Sequence, residues 1–397
     1  MLIRRREFLQ IGSLATASLM MPKFLQAFSK RALPLPGNKV VVVIQFSGGN
    51  DGLNTVIPIR NDIYYTARPT LGITKNNALL LTDGVGLHPA LTTLRDLYDD
   101  GSLGILNGVG YPNPDRSHFR SMDIWQTGAN SDEFITTGWI GRYLDAQCSG
   151  CDKPTSAMEI DDILSLALKG ENNNGIAFKD PGRLYNTSNE NYFKDINAAH
   201  ATGETTADYL YKTMSETLSS ADYIFRQSKL RASTALYPDT QFGKDMKTIS
   251  SLIQSDIDTR IYYVSIGSFD THVNQEGQQK RLFAEFSDAI KVFTDDLKKN
   301  NRFNDVLLFT FSEFGRRVSQ NASGGTDHGT ANNIFLIGGG LKQKGMINPL
   351  ADLTDLDEGD LKYTIDFKTV YATILNKWLN ANDTGILGKQ YGYLDFI

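Results

Sequence analysis

The run Val40-Val41-Val42-Val43-Ile44-Gln45-Phe46 ends abruptly in Ser47-Gly48-Gly49-Asn50-Asp51-Gly52. A nearly unbroken β-branched segment of this length, with no alternation of polar residues, is the pattern of a strand covered on both faces, which occurs mainly in parallel sheets flanked by helices. Similar segments recur near 39–46, 102–108, 261–267, 305–311 and 333–337, separated by long stretches with helical pattern. Between Leu282 and Leu297 the apolar residues Phe283, Phe286, Ala289, Ile290 and Phe293 follow a helical period, so a crossover helix precedes the strand at 305–311. The expected fold is α/β, a doubly wound, mostly parallel sheet. A polar, Asn-rich segment from 148 to 255 is expected to form an insertion or cap over the sheet edge.

Composition sets outer limits on function. Of 397 residues, 41% are hydrophobic and 21% charged, which is ordinary for a chain that buries a core. A net charge of -5 argues against nucleic-acid binding through phosphate neutralisation. The first residues differ from the rest. Arg5-Arg6-Glu7-Phe8-Leu9 matches the twin-arginine export pattern, and the apolar stretch at 11–21 is shorter than the roughly 20 residues a bilayer span needs. Residues 1–30 are therefore expected to be an export signal read by the twin-arginine machinery, with a general secretory signal as the alternative. The remainder, 38–397, is expected to be a periplasmic or secreted domain without a stable membrane anchor. Cys148 and Cys151 suit a small local disulfide or two free thiols.

In open α/β sheets, ligands bind beyond the carboxyl ends of the strands. Asp51, Ser117, Asp270, His272, Glu313, Asp327 and His328 all follow strand-like segments. Carboxylate and imidazole together suit a divalent cation. In Asp270-Thr271-His272 the two metal-competent side chains share a face if the chain is extended. Glu313 reads as a further ligand, an acceptor for His328, or a partner of Arg316 or Arg317. Ser117 precedes a helical pattern (Phe119, Met122, Trp125), so it is either a nucleophile at a helix N-terminus or an ordinary N-cap, with Ser121 as competitor. Arg116 and Arg120 can hold an anionic substrate or be surface charges. His88 and His200 lack comparable context.

Four segments carry a resemblance: 46–54 (Phe46 to Asn54), 112–119 (Pro112 to Phe119), Ser312-Glu313-Phe314-Gly315-Arg316, and 326–332 (Thr326 to Asn332). They resemble domain-of-unknown-function family 1501, an exported, sulfatase-like family grouped with the alkaline phosphatase superfamily. The resemblance implies an alkaline phosphatase-like α/β fold, one or two divalent ions (zinc, manganese, calcium or magnesium) and a hydroxyl nucleophile. It implies Asp51, Asp327 and His328 at one metal position, Asp270 and His272 at the other, with Glu313 as an added ligand. Ser117 stands at the nucleophile's position with Arg116 and His118 beside it, and Asn50 and Arg120 are expected to contact substrate. The implied activity is hydrolysis or transfer of phosphate or related esters, with an anionic small molecule or glycan ester as substrate. No histidine follows His328, and no Cys/Ser-x-Pro-Ser-Arg string for formylglycine conversion occurs. A non-catalytic exported binding or assembly protein that keeps the fold is the alternative.

Overall fold

The computed structural model describes residues 39–147, 154–190 and 206–397, with only the backbone considered for 206–216 and 219. The export signal, Cys148, Cys151 and His200 lie outside the described residues. The core is a nine-stranded sheet. In chain order its strands are β1 (Val40–Phe46), β2 (Leu103–Gly110), β3 (Ala157–Glu159), β4 (Ile176–Ala177), β5 (Ile261–Ile266), β6 (Val306–Phe311), β7 (Asn332–Ile337), β8 (Gly345–Met346) and β9 (Ile365–Asp366). Their spatial order is β8-β2-β7-β6-β1-β5-β3-β4, with β9 also pairing with β2.

The long apolar run lies at the centre, as its composition requires. β1 pairs in parallel with β5 and with β6, from Val41 opposite Ile261 and from Val40 opposite Val306. No residue of β1 is more than 4% exposed. Val40, Val42, Ile44 and Phe46 pack towards helices α1 (Thr92–Asp99), α5 (Gln241–Gln254) and α6 (Gln275–Lys299). Val41 and Val43 pack towards α2 (His118–Thr127), α3 (Trp139–Gln147) and α7 (Phe367–Thr373). Strand side chains alternate between faces, so helices on both sides explain why the run carries almost no polar residue. Each such Val or Ile contributes about 1.5–3 kcal/mol through burial.

One strand departs from the parallel expectation. β7 is antiparallel to both β2 and β6, with a register shift between Asn332 and Ile334. A parallel return needs a crossover long enough to traverse the sheet. The segment 312–331 between β6 and β7 contains no helix. It instead turns over the carboxyl edge and re-enters there, so the loop after β6 and the loop before β7 are the same loop.

The segment expected as an insertion or cap is woven into the sheet where it is described. β3 pairs in parallel with β5, and β4 with β3, extending the sheet beyond β5. Phe242 of α5, which follows helix α4 (Thr206–Leu230), meets Phe286 of α6 with ring centroids 6.0 Å apart. The Asn-rich string 171–173 is a surface turn around α3, where the Asp145 carboxylate accepts the backbone N–H groups of Glu171, Asn172 and Asn173. Among the described residues no helix is long and apolar enough to cross a membrane.

Candidate metal centre

The loops at the carboxyl ends of β1, β2, β5 and β6 meet over the centre of the sheet. Their approach depends on two glycines. A Cβ at Gly48 would lie 2.4 Å from the backbone nitrogen of Asp270, and one at Gly49 would lie 2.2 Å from the Phe314 ring. Both positions have positive φ (120° and 76°), which glycine adopts at no steric cost. Arg316, 2% exposed, then pins the loops together. Its guanidinium donates to the carbonyls of Gly48, Gly49 (2.6 Å), Thr326 (2.8 Å) and Phe269 (3.1 Å), and to Asp270 Oδ1 (2.7 Å).

Three groups face one small space. His118 opens α2, and its Nδ1 lies 2.9 Å from Glu313 Oε1. Glu313 is buried and also accepts the Gly48 N–H at 2.8 Å. A carboxylate partner fixes the His118 proton on Nδ1, leaving Nε2 as a lone pair. That Nε2 is buried without a hydrogen-bond partner, 3.6 Å from Asp270 Oδ1. His328 Nδ1 lies 2.8 Å from the Arg116 carbonyl, which can only accept, so its Nε2 is likewise a lone pair, 3.3 Å from Asp270 Oδ1. Among the described residues, His118, Asp270 and His328 are the one group of possible ligand atoms that all lie within 4.8 Å of one another. His272 is adjacent, with Nδ1 at 2.8 Å from Asp270 Oδ1 and its ring centroid 4.7 Å from that of His328.

Two imidazole nitrogens therefore converge on a carboxylate oxygen that also accepts from Arg316 Nη2. With the proton of each ring held on Nδ1, both Nε2 atoms offer lone pairs that a cation can take up together with the carboxylate. The hydrogen bond to Glu313 raises the pKa of His118 above its usual 6.5, outweighing burial. Burial lowers that of His328. For Asp270, burial acts against the charge, but the hydrogen bond and charge of Arg316, then His272 and His328, hold the carboxyl at about 2. Ser268 (φ 75°) and Asn274 (φ 48°) bracket the Asp270–His272 segment in left-handed conformations, a cost that clusters at functional sites.

The Glu313–His118 pair has the form of a carboxylate orienting a metal-bound imidazole. Glu313→Gln is expected to weaken zinc binding by about 10- to 100-fold in a competition titration with a chromophoric chelator. In the wild type, uptake should fall as pH drops through the raised His118 range, where protons compete for Nε2. Unchanged affinity in the variant would remove Glu313 from this role.

The other sequence candidates sit elsewhere. Asp51 faces Arg68, not the cluster: Nη1 lies 2.5 Å from Oδ2 and Nη2 3.0 Å from Oδ1, and Gln275 Nε2 also donates to Oδ2. Asp51 and Arg68 are each 1% exposed. Asp327 is exposed and accepts from Asn321 at 3.1 Å. Asn50 is buried, bonded through its N–H to Ser312 Oγ and through its amide to Thr55. Arg120 packs 3.9 Å over the Phe134 ring and donates to the Ser131 carbonyl. Arg116 pairs with Asp360, so its side chain holds the hairpin Leu356–Leu361 while its carbonyl orients His328. Ser117 is exposed and N-caps α2 without a side-chain capping bond, its own N–H bonded to Asp115 Oδ1 at 2.6 Å. Ser121 is fully buried, with Oγ donating to the Asp115 carbonyl. His88 is buried against Phe283 and accepts the Ala90 N–H; burial lowers its pKa to about 4. Arg68 and Gln275 lie outside every segment singled out in the sequence, and Phe314 lies within 312–316 without any local signal that its ring would meet both His118 and His328.

The sheet and the cluster at its carboxyl edge define a doubly wound α/β protein with a His/Asp centre suited to a cation. Residues 107–379 match the family described as "Protein of unknown function (DUF1501)", and the chain belongs to that family. No curated protein matches the sequence. Similar solved structures include the lipoteichoic acid synthase LtaP of Listeria monocytogenes (9% identity, 91% of this chain and 74% of that one, TM-score 0.36). The PsFucS1 sulfatase of Pseudoalteromonas sp. is another (10%, 94% and 73%, TM-score 0.39). A third is a protein in the alkaline phosphatase superfamily from Vibrio parahaemolyticus (10%, 89% and 69%, TM-score 0.37). At such distances the chemistry has to be read from the site itself.

Proposed function

We propose that this chain is an exported, metal-dependent hydrolase or transferase of phosphate or sulfate esters. The observation that carries this reading is the convergence of His118 Nε2, Asp270 Oδ1 and His328 Nε2 on one space, with the outer nitrogen of each imidazole already committed. The donor set fits a divalent cation, because the buried His118 Nε2 has no hydrogen-bond partner and faces the Asp270 carboxylate at 3.6 Å. His118, Asp270 and His328 would hold it, with His272 beside them. Two imidazoles and one carboxylate suit zinc or manganese better than calcium or magnesium, which prefer oxygen. When bound, such an ion supplies positive charge to the anionic ester and lowers the pKa of a nearby hydroxyl.

The protein's own groups supply the rest. Ser117 precedes His118 and leaves its hydroxyl uncommitted to capping, at the N-terminus of the ten-residue helix α2, whose free N–H groups favour an anion. Its Oγ is the proposed nucleophile. The bond from Oγ to the phosphorus or sulfur forms as the bond to the ester oxygen breaks, the serine proton ending on the departing alcohol; water or a second alcohol then attacks the seryl ester, takes the transferred group and returns a proton to Oγ. Arg316 adds fixed positive charge beside Asp270. Asp51 and Glu313 are proposed as structural and orienting groups rather than ligands.

A second reading is favoured by Arg68: a guanidinium occupies Asp51, so a site for a second cation there is already filled. On that reading the chain is an exported binding or assembly protein that keeps the fold and one ion. Turnover separates the two. The first reading expects hydrolysis of 4-nitrophenyl phosphate or sulfate that is lost on chelation and restored by zinc or manganese. Stoichiometric metal with no turnover of either ester would support the second.

A further inference from the structure

Phe314 belongs to two places at once. Its ring centroid lies 4.8 Å from that of His118 and 4.7 Å from that of His328. The same ring lines a cavity of about 390 Å³. That volume falls within the range of small-molecule sites, about 300–1,000 Å³. Asn113 and Pro114, which lead into Ser117, form part of the wall, and Leu361 and Tyr363, which follow the hairpin turn, form another part. Arg116 clamps that hairpin through Asp360, and Thr330 Oγ1 donates to the Leu361 carbonyl. The wall is thus fixed to the same backbone that carries Ser117, His118 and His328.

The lining is mainly carbon. Lys362 and Asp357 also line the cavity: the Lys362 ammonium is paired with Asp355 and the Asp357 carboxylate is itself negative, so neither offers a free positive charge to an anion. A cavity of this kind rejects the charged end of an ester and accepts an uncharged ring. We propose that it binds the uncharged six-membered ring, aryl or pyranose, of an ester whose anionic group lies at the His118–Asp270–His328 cluster. This rests on the ester-processing reading above for the anionic end alone.

Ring binding can be measured without turnover, so the two ideas fail separately. Calorimetric titration with phenol tests the aryl arm, and titration with methyl β-glucopyranoside tests the sugar arm. One of them is expected to bind the wild type, and Tyr363→Ala is expected to weaken it about fivefold through loss of the ring face. Tyr363 is 39% exposed, so its truncation spares the core. Asn113→Gly is the second variant: Asn113 has φ 52°, a conformation glycine accepts readily, and its side chain leaves the wall without strain. Asp270→Asn should leave ring binding intact while abolishing ester turnover. Binding of neither ring, or full-strength binding in both wall variants, would overturn the proposal. Ring binding in a protein that turns over no ester would support the cavity and remove the catalytic reading of the cluster.

Discussion

Arg68→Met should lower the stability of the folded chain by about 3–5 kcal/mol, the usual cost of stranding one member of a buried ion pair. Both partners are 1% exposed, and the guanidinium reaches both carboxylate oxygens of Asp51, the Asn54 side-chain oxygen (2.8 Å) and the carbonyls of Arg317 (2.9 Å) and Val318 (2.8 Å). It therefore ties the loop after β1 to the loop between β6 and β7. Methionine fills much of the volume but satisfies none of these acceptors, and Asp51 is left as a buried anion with Gln275 and the Leu53 N–H. Urea unfolding followed by circular dichroism measures the loss as a shift in midpoint at constant slope. Asp51→Leu added to Arg68→Met should recover part of it, since removing both charges avoids the stranded one. An unchanged midpoint in Arg68→Met would mean that the pair does not hold the loops.

Ser117→Ala is expected to separate catalysis from folding. Loss of the nucleophile should reduce turnover of an aryl ester by roughly 10³-fold or more. Loss of an N-cap hydroxyl usually costs about 1 kcal/mol. Here the hydroxyl makes no capping bond and is exposed, so stability should change by less than about 0.5 kcal/mol. Metal content should stay at the wild-type level, because the converging atoms of His118, Asp270 and His328 are all retained. Ser121 is a poor substitute, since its oxygen already donates to the Asp115 carbonyl and lies 3.1 Å from the Tyr111 hydroxyl. Retained turnover would therefore remove a serine nucleophile from the mechanism and leave direct attack by water.

The sheet was legible because burial on both faces writes itself into consecutive residues: Val40 to Phe46 can lie nowhere but in a covered strand. The direction of β7 was not, since Asn332 to Ile337 reads the same in either sense and only the helix-free loop before it forces the reversal. The described part of 148–255 reads as polar because its loops are Asn-rich, while its contribution to the sheet comes from short pieces such as Ala157–Glu159. At the site, Asp270, His272 and His328 stand out as carboxylate and imidazole groups just beyond strand-like segments. The pairing of Glu313 with His118 rather than His328, and of Asp51 with Arg68, depends on contacts between residues 195 and 17 positions apart. No local pattern encodes such distances. Adjacent residues of an extended chain point to opposite sides, which is why His328 turns inward and Asp327 outward.

One cation is proposed to be held by His118, Asp270 and His328. Calorimetric titration of zinc into chelator-stripped protein tests it directly, with the His118→Ala/Asp270→Asn double variant alongside. The wild type is expected to bind one ion per chain, because Arg68 fills the place at Asp51, and the double variant none. Stoichiometric binding that survives in the double variant, or a wild type that takes up neither zinc nor manganese, would contradict it.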